Sequence, residues 1–206
     1  MQAVLETSAA DGFSLWPVDE YESHGYLGLD RKLTPAQVGT AVMRIADYNY
    51  AGPEEERAPC PADPLGTFLQ GLLTLPDLLA AGGFRVTDNA TSTVFVEPGC
   101  CNGLETWRDW LKVLEPSGCC YFGHDPSSVA ERVGDVGRLT YDAHGTGSSP
   151  VVELPAEQVR TLVAGAQQDL QDFLSVAGTW AEQHLPAHAA EVTAALARAL
   201  DLASAR

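Results

Sequence analysis

The chain has 206 residues and a formal net charge of −16. Such a surface repels phosphate backbones and anionic lipid, which argues against a nucleic-acid or membrane partner. The hydrophobic fraction of 45% is that of a globular domain, and the longest apolar runs, such as Leu78-Leu79-Ala80-Ala81, fall far short of the roughly 20 residues that span a bilayer.

Residues 1–33 read as irregular or strand-like, with Phe13, Leu15, Tyr26, Leu27 and Leu29 able to pack as short strands. Thr34-Pro35-Ala36-Gln37 is a capping box with proline at the first helical position. Val38, Val42, Ile45 and Ala46 then recur at helical spacing, and Asn49 to Pro53 ends the helix. Residues 52–63, rich in Pro and Glu, are expected to be an exposed, mobile loop. Asp63-Pro64 opens a second helix. Pro76 breaks it and starts another turn or two, which Gly82-Gly83 stop.

A hairpin is expected from Phe84–Thr87 and Thr93–Glu97, with Asp88-Asn89 at its turn. Asn102-Gly103-Leu104-Glu105 then reads as the cap of a helix. At α-helical period its apolar face is Leu104, Trp107, Leu111 and Leu114, with Trp110 flanking. Strands follow at Cys119–Gly123 and Gly137–Ala143, then a Gly- and Ser-rich loop, then a short strand at Val151–Leu154. Pro155 opens the longest helix, with an apolar stripe from Val159 to Ala177, and Pro186 separates it from a final Ala-rich helix. The fold class is α+β: an antiparallel sheet over about residues 84–154, helices packed on it, and long C-terminal helices. The chain reads as one domain over residues 1–206, with an N-terminal helical part (1–82), a central sheet part (83–154) and a C-terminal helical part (155–206).

Five cysteines, four of them in adjacent pairs, fit a reducing compartment better than a disulfide framework. Met1 to Glu6 shows neither a basic n-region nor an apolar h-region, so the expected location is the cytoplasm. Cys100, Cys101, Cys119, Cys120 and His124 make a zinc set by residue type, but not by spacing. Adjacent strand residues point to opposite faces, so Cys119 and Cys120 cannot share one ion. Buried, reduced cysteines are expected, with no metal and no cofactor. Cys101 lies just before a predicted helix start, a position that activates thiols. With His124 or His144 as base, and Asp125 nearby, it supplies the alternative of a cysteine- and histidine-dependent enzyme. Gly123-His124-Asp125-Pro126 is more simply a turn, and His144-Gly145-Thr146-Gly147 lacks the lysine of a phosphate loop.

Acidic clusters stand at Asp19-Glu20-Tyr21-Glu22 and Glu54-Glu55-Glu56, the first interleaved with Trp16 and Tyr26. Carboxylates and aromatics on loops suit a binder of a basic protein. The expected partner surface is Trp16, Asp19, Glu20, Tyr21, Glu22, Glu54, Glu55 and Glu56, with Trp110 as a further anchor. No catalytic residue is assigned.

Pro98-Gly99-Cys100-Cys101-Asn102-Gly103-Leu104-Glu105, Trp107, Gly123-His124-Asp125-Pro126, Gly134-Asp135-Val136 and Arg138-Leu139 together resemble small acidic uncharacterised proteins of actinobacteria. In broad style the chain is similar to immunity proteins that neutralise bacterial toxins. That resemblance implies a compact cytoplasmic α+β protein that caps a toxin's active site, and it assigns no functional residue. The expected function is therefore a non-catalytic, protein-binding inhibitor of a basic toxin. The alternatives are the cysteine and histidine enzyme and a structural or assembly subunit.

Overall fold

The computed structural model describes residues 1–10, 12–50, 61 and 63–202. Its class is the expected α+β, with two four-stranded antiparallel sheets and long C-terminal helices. The first sheet takes its strands from both sides of the N-terminal helices. It comprises β1 (Gln2–Thr7), β2 (Gly25–Gly28), β3 (Gly82–Thr87) and β4 (Val94–Val96), in the order β2-β1-β3-β4. In β1, Ala3, Val4 and Leu5 are all buried, so the strand is covered on both faces and shows no polar alternation. The second sheet is a meander of β5 (Cys119–Tyr121), β6 (Val129–Val133), β7 (Val136–Thr140) and β8 (Val151–Pro155). The strands of residues 84–154 are thus divided between two sheets, and β6 is a strand that the sequence reading passed over.

Helix α1 (Pro35–Tyr48) starts at the capping box as read: Thr34 Oγ1 accepts from Gln37 N–H, and the Gln37 side chain accepts from Thr34 N–H. Helix α2 (Pro64–Thr74) is capped by Asp63. No helical turn follows at Pro76-Asp77, where the chain runs irregularly into β3. Helix α3 (Ala156–His184) buries the stripe Val159, Val163, Ala166, Leu170, Phe173, Ala177 and Trp180, and α4 (Ala189–Ala199) lies against it. No helix among the described residues is long and apolar enough to cross a membrane.

The segment Leu104–Leu114 is a 3₁₀ helix, not an α-helix. With three residues per turn, side chains three apart eclipse one another. Leu104, Trp107, Trp110 and Val113 therefore share the buried face, while Leu111 turns to solvent. This corrects the assignment of Trp110 as a surface anchor: it is 1% exposed and stacks on Phe122 with ring centroids 4.4 Å apart. Trp16 is corrected in the same way. Its indole N–H donates to the Gly39 carbonyl, and its ring packs edge-on against Trp180, Phe13 and Phe68. Both tryptophans belong to the core, which runs as one cluster from β1 and α1 through the 3₁₀ helix to α3 and α4.

Candidate functional site

The two sheets are stitched together by the chain that leaves β4. Glu97 N–H donates to the hydroxyl of buried Ser128, and Gly99 N–H donates to the Phe122 carbonyl at 2.7 Å. Cys100 and His124 then form an isolated antiparallel pair, Cys100 N–H to His124 O at 2.7 Å and His124 N–H to Cys100 O at 3.2 Å. Two glycines permit so close an approach. A Cβ on Gly99 would come within 2.5 Å of the His124 and Pro126 carbonyl oxygens, and one on Gly123, at φ +91°, would overlap the Cys100 carbonyl.

Cys101 follows with φ +68°. An extended backbone would send the side chains of residues 100 and 101 to opposite sides. The left-handed conformation breaks that alternation, and the two sulfurs lie 3.3 Å apart on one surface. Cys101 Sγ is 3.8 Å from His124 Nε2, and His124 Nδ1 is 3.2 Å from Asp125 Oδ2. The order thiol, imidazole, carboxylate is that of a nucleophile, a base and the group that orients the base. In neutral His124, an N–H on Nδ1 facing Asp125 leaves the Nε2 lone pair toward the sulfur, free to take up a proton.

The electrostatics agree with the geometry. The Cys101 thiol is held below the ordinary range by the hydrogen bond from Cys100, then by His124. The same bond pushes Cys100 up. His124 is raised, first by its bond to Asp125 and then by that to Cys101. Both shifts run in the direction of a thiolate at Cys101 and an imidazolium at His124.

A cleft of about 220 Å³ opens beside Cys101, with Tyr48, Leu79, Ala81 and Glu105 among its walls. Side-chain hydrogen bonds to the main chain hold two of these walls, Leu79 and Glu105. Tyr48 ends α1, and the buried Asn49 side chain donates to the Leu79 carbonyl at 2.7 Å and accepts from Leu79 N–H at 3.0 Å. Glu105 accepts from Ala80 N–H at 3.0 Å, and burial raises its carboxyl above the usual range. Asn102 does not cap the 3₁₀ helix; its side-chain amide donates to the Gly82 carbonyl and ties the cysteine loop to β3.

The remaining sequence-derived residues lie elsewhere. Cys100 and Cys101 are exposed, against the expectation of burial, whereas Cys120 is buried and its thiol is pushed up to about 12 by desolvation. Cys119 is half-buried on β5, next to Cys120 and away from this group. His144 stands apart, its backbone N–H donating to the Asp142 carboxylate. In the N-terminal acidic segment Glu20 and Glu22 are exposed. Asp19 and Tyr21 are half-buried, and the Asp19 N–H is bound to the Thr40 hydroxyl of α1. Glu54, Glu55 and Glu56 lie outside the described residues. Sequence reasoning missed the vicinal pair as a joint site, because nothing in the residue order reveals the positive φ of Cys101. It also missed Tyr48, Leu79 and Glu105, which are far apart in the chain and meet at the cleft through tertiary contacts, the Asn49 and Ala80 bonds among them.

No protein-family model, curated protein or solved structure matches the chain.

Proposed function

We propose that the protein acts through a surface thiol centre in which Cys101 is the nucleophile, His124 its acid–base partner and Asp125 the group that orients His124. The observation that carries this reading is the alignment of Cys101 Sγ, His124 and Asp125 at 3.8 and 3.2 Å beside an open cleft. The size of the cleft suits a small substrate with an activated acyl carbon. Cys101 Sγ forms a bond to that carbon, the bond to the leaving group breaks, and the leaving group departs with the proton held on His124 Nε2. Free vicinal thiols persist where thiols are kept reduced, and on that ground the location proposed is the cytoplasm.

The test is intact-mass analysis after exposure to a small activated acyl ester. One acyl group should be found on Cys101, absent in Cys101→Ser and formed on the order of 10²-fold more slowly in His124→Ala. Acylation spread evenly over the cysteines, or indifferent to His124, would remove the reading.

A second reading, the non-catalytic inhibitor of a basic toxin, is favoured by a different observation: the net charge of −16, with Glu20 and Glu22 presented to solvent. Its mechanism is electrostatic steering followed by occlusion of the partner's site. Co-purification at low and high salt tests it. A stoichiometric basic partner should leave at high salt and bind more slowly to the Glu20→Lys/Glu22→Lys variant. A partner held equally at both salt concentrations would contradict it.

A further inference from the structure

We infer that Cys100, Cys101 and His124 form a binding site for one thiophilic d¹⁰ cation, zinc(II), with a fourth coordination position open toward solvent. Two thiolates and one imidazole are a donor set that zinc takes readily, and three protein ligands plus a free position is the pattern of sites that exchange water or a substrate.

The geometry is close to that of a filled site. Zinc lies about 2.3 Å from sulfur and about 2.0–2.1 Å from imidazole nitrogen, so tetrahedral ligand edges measure about 3.8 Å between sulfurs and about 3.5 Å from sulfur to nitrogen. Here the sulfur–sulfur edge is 3.3 Å, the Cys101 Sγ to His124 Nε2 edge is 3.8 Å, and all three ligand atoms lie within 4.8 Å of one another. Small side-chain rotations at an exposed surface close the remaining difference. The backbone is already in place, since Cys100 and His124 exchange two hydrogen bonds and Cys101 at φ +68° turns its thiol to the same side as that of Cys100.

The surroundings complete the site. Metal-ligating histidines usually hand their second ring N–H to a carboxylate, which fixes the tautomer and raises ligand basicity. Asp125 stands at His124 Nδ1 in that role. Successive strand residues such as Cys119 and Cys120 of β5 point to opposite faces, whereas at Cys100 and Cys101 the positive φ breaks that alternation.

The inference does not require Cys101 to be a nucleophile. It adds a ligand that would occupy the same sulfur and silence it. The experiment uses the reduced, chelator-treated full chain, titrated with cobalt(II) and then zinc(II). One equivalent of cobalt should give thiolate-to-metal charge-transfer absorption with tetrahedral ligand-field bands, and one equivalent of zinc should erase both. Cys101→Ser and His124→Ala should lose the signal, while Cys119→Ser should keep it. Asp125→Asn should weaken zinc binding by about 10–100-fold. A melting curve for each variant separates loss of a ligand from loss of the fold. Cobalt binding without charge transfer, or binding that survives Cys101→Ser, would overturn the inference. Acyl-ester reactivity of the metal-free protein is read separately, so either proposal can fail while the other stands.

Discussion

Cys100 and His124 face each other across the joint of the two sheets, exchanging backbone hydrogen bonds of 2.7 and 3.2 Å. The pair fixes the main chain beneath the cluster, so that the thiols and the imidazole are placed by the fold and not by flexible side chains alone. Preorganisation of this kind is what a nucleophilic site or a metal site requires.

The joint depends on Gly123. Its φ of +91° disfavours any residue with a Cβ, and that Cβ would overlap the Cys100 carbonyl. Gly123→Ala should cost about 1–3 kcal/mol of stability and uncouple Cys101 from His124. Thermal denaturation and thiol-reactivity assays check the two effects together; a variant with unchanged melting and unchanged reactivity would show that the close approach is not needed.

The 3₁₀ register makes its own prediction. Trp110 is 1% exposed and stacked on Phe122, so Trp110→Ala should cost about 3–5 kcal/mol. Leu111→Ala, on the exposed side, should cost far less. Denaturant titration of both variants decides the register, since an α-helical face would make Leu111 the more costly position.

Much of this fold is legible in the residues. The Thr34 capping box, the Asp63 cap, the hairpin around Asp88 and the stripe of α3 each carry a local signal, and each is present. What is missing from the sequence is information set by tertiary contact. Strand β1 is buried on both faces and so lacks alternation. A stripe of Leu104, Trp107, Leu111 and Leu114 satisfies an α-helical period, whereas the 3₁₀ register turns Trp107 onto Phe84 and Trp110 onto Phe122, contacts that the sequence does not announce. The site was legible in its residue types, since Cys101, His124 and Asp125 already stood as a possible set. Their convergence was not, because it rests on the pairing of Cys100 with His124 and on the backbone of Cys101.

Glu105 should leave a mark on the pH dependence of stability. Burial raises its carboxyl above the ordinary value, so between that value and the raised one the folded state holds more proton than the unfolded state. Its contribution is then fully present below the ordinary glutamate range and is lost as pH rises through the raised value. Glu105→Gln, which keeps an acceptor for Ala80 N–H, should remove that slope and melt at neutral pH no lower than the parent chain. Melting temperatures across the acidic range check this, and an unchanged slope would contradict it.

The thiol centre is tested by the rate at which iodoacetamide alkylates each cysteine of the metal-free protein at neutral pH, resolved by peptide mass mapping. Among the four cysteines of the described residues, Cys101 should react first, ahead of Cys100 and Cys119, with Cys120 last. Its rate should drop several-fold in His124→Ala while that of Cys119 stays the same. Equal rates at Cys100 and Cys101, or a Cys101 rate that does not respond to His124→Ala, would contradict the account.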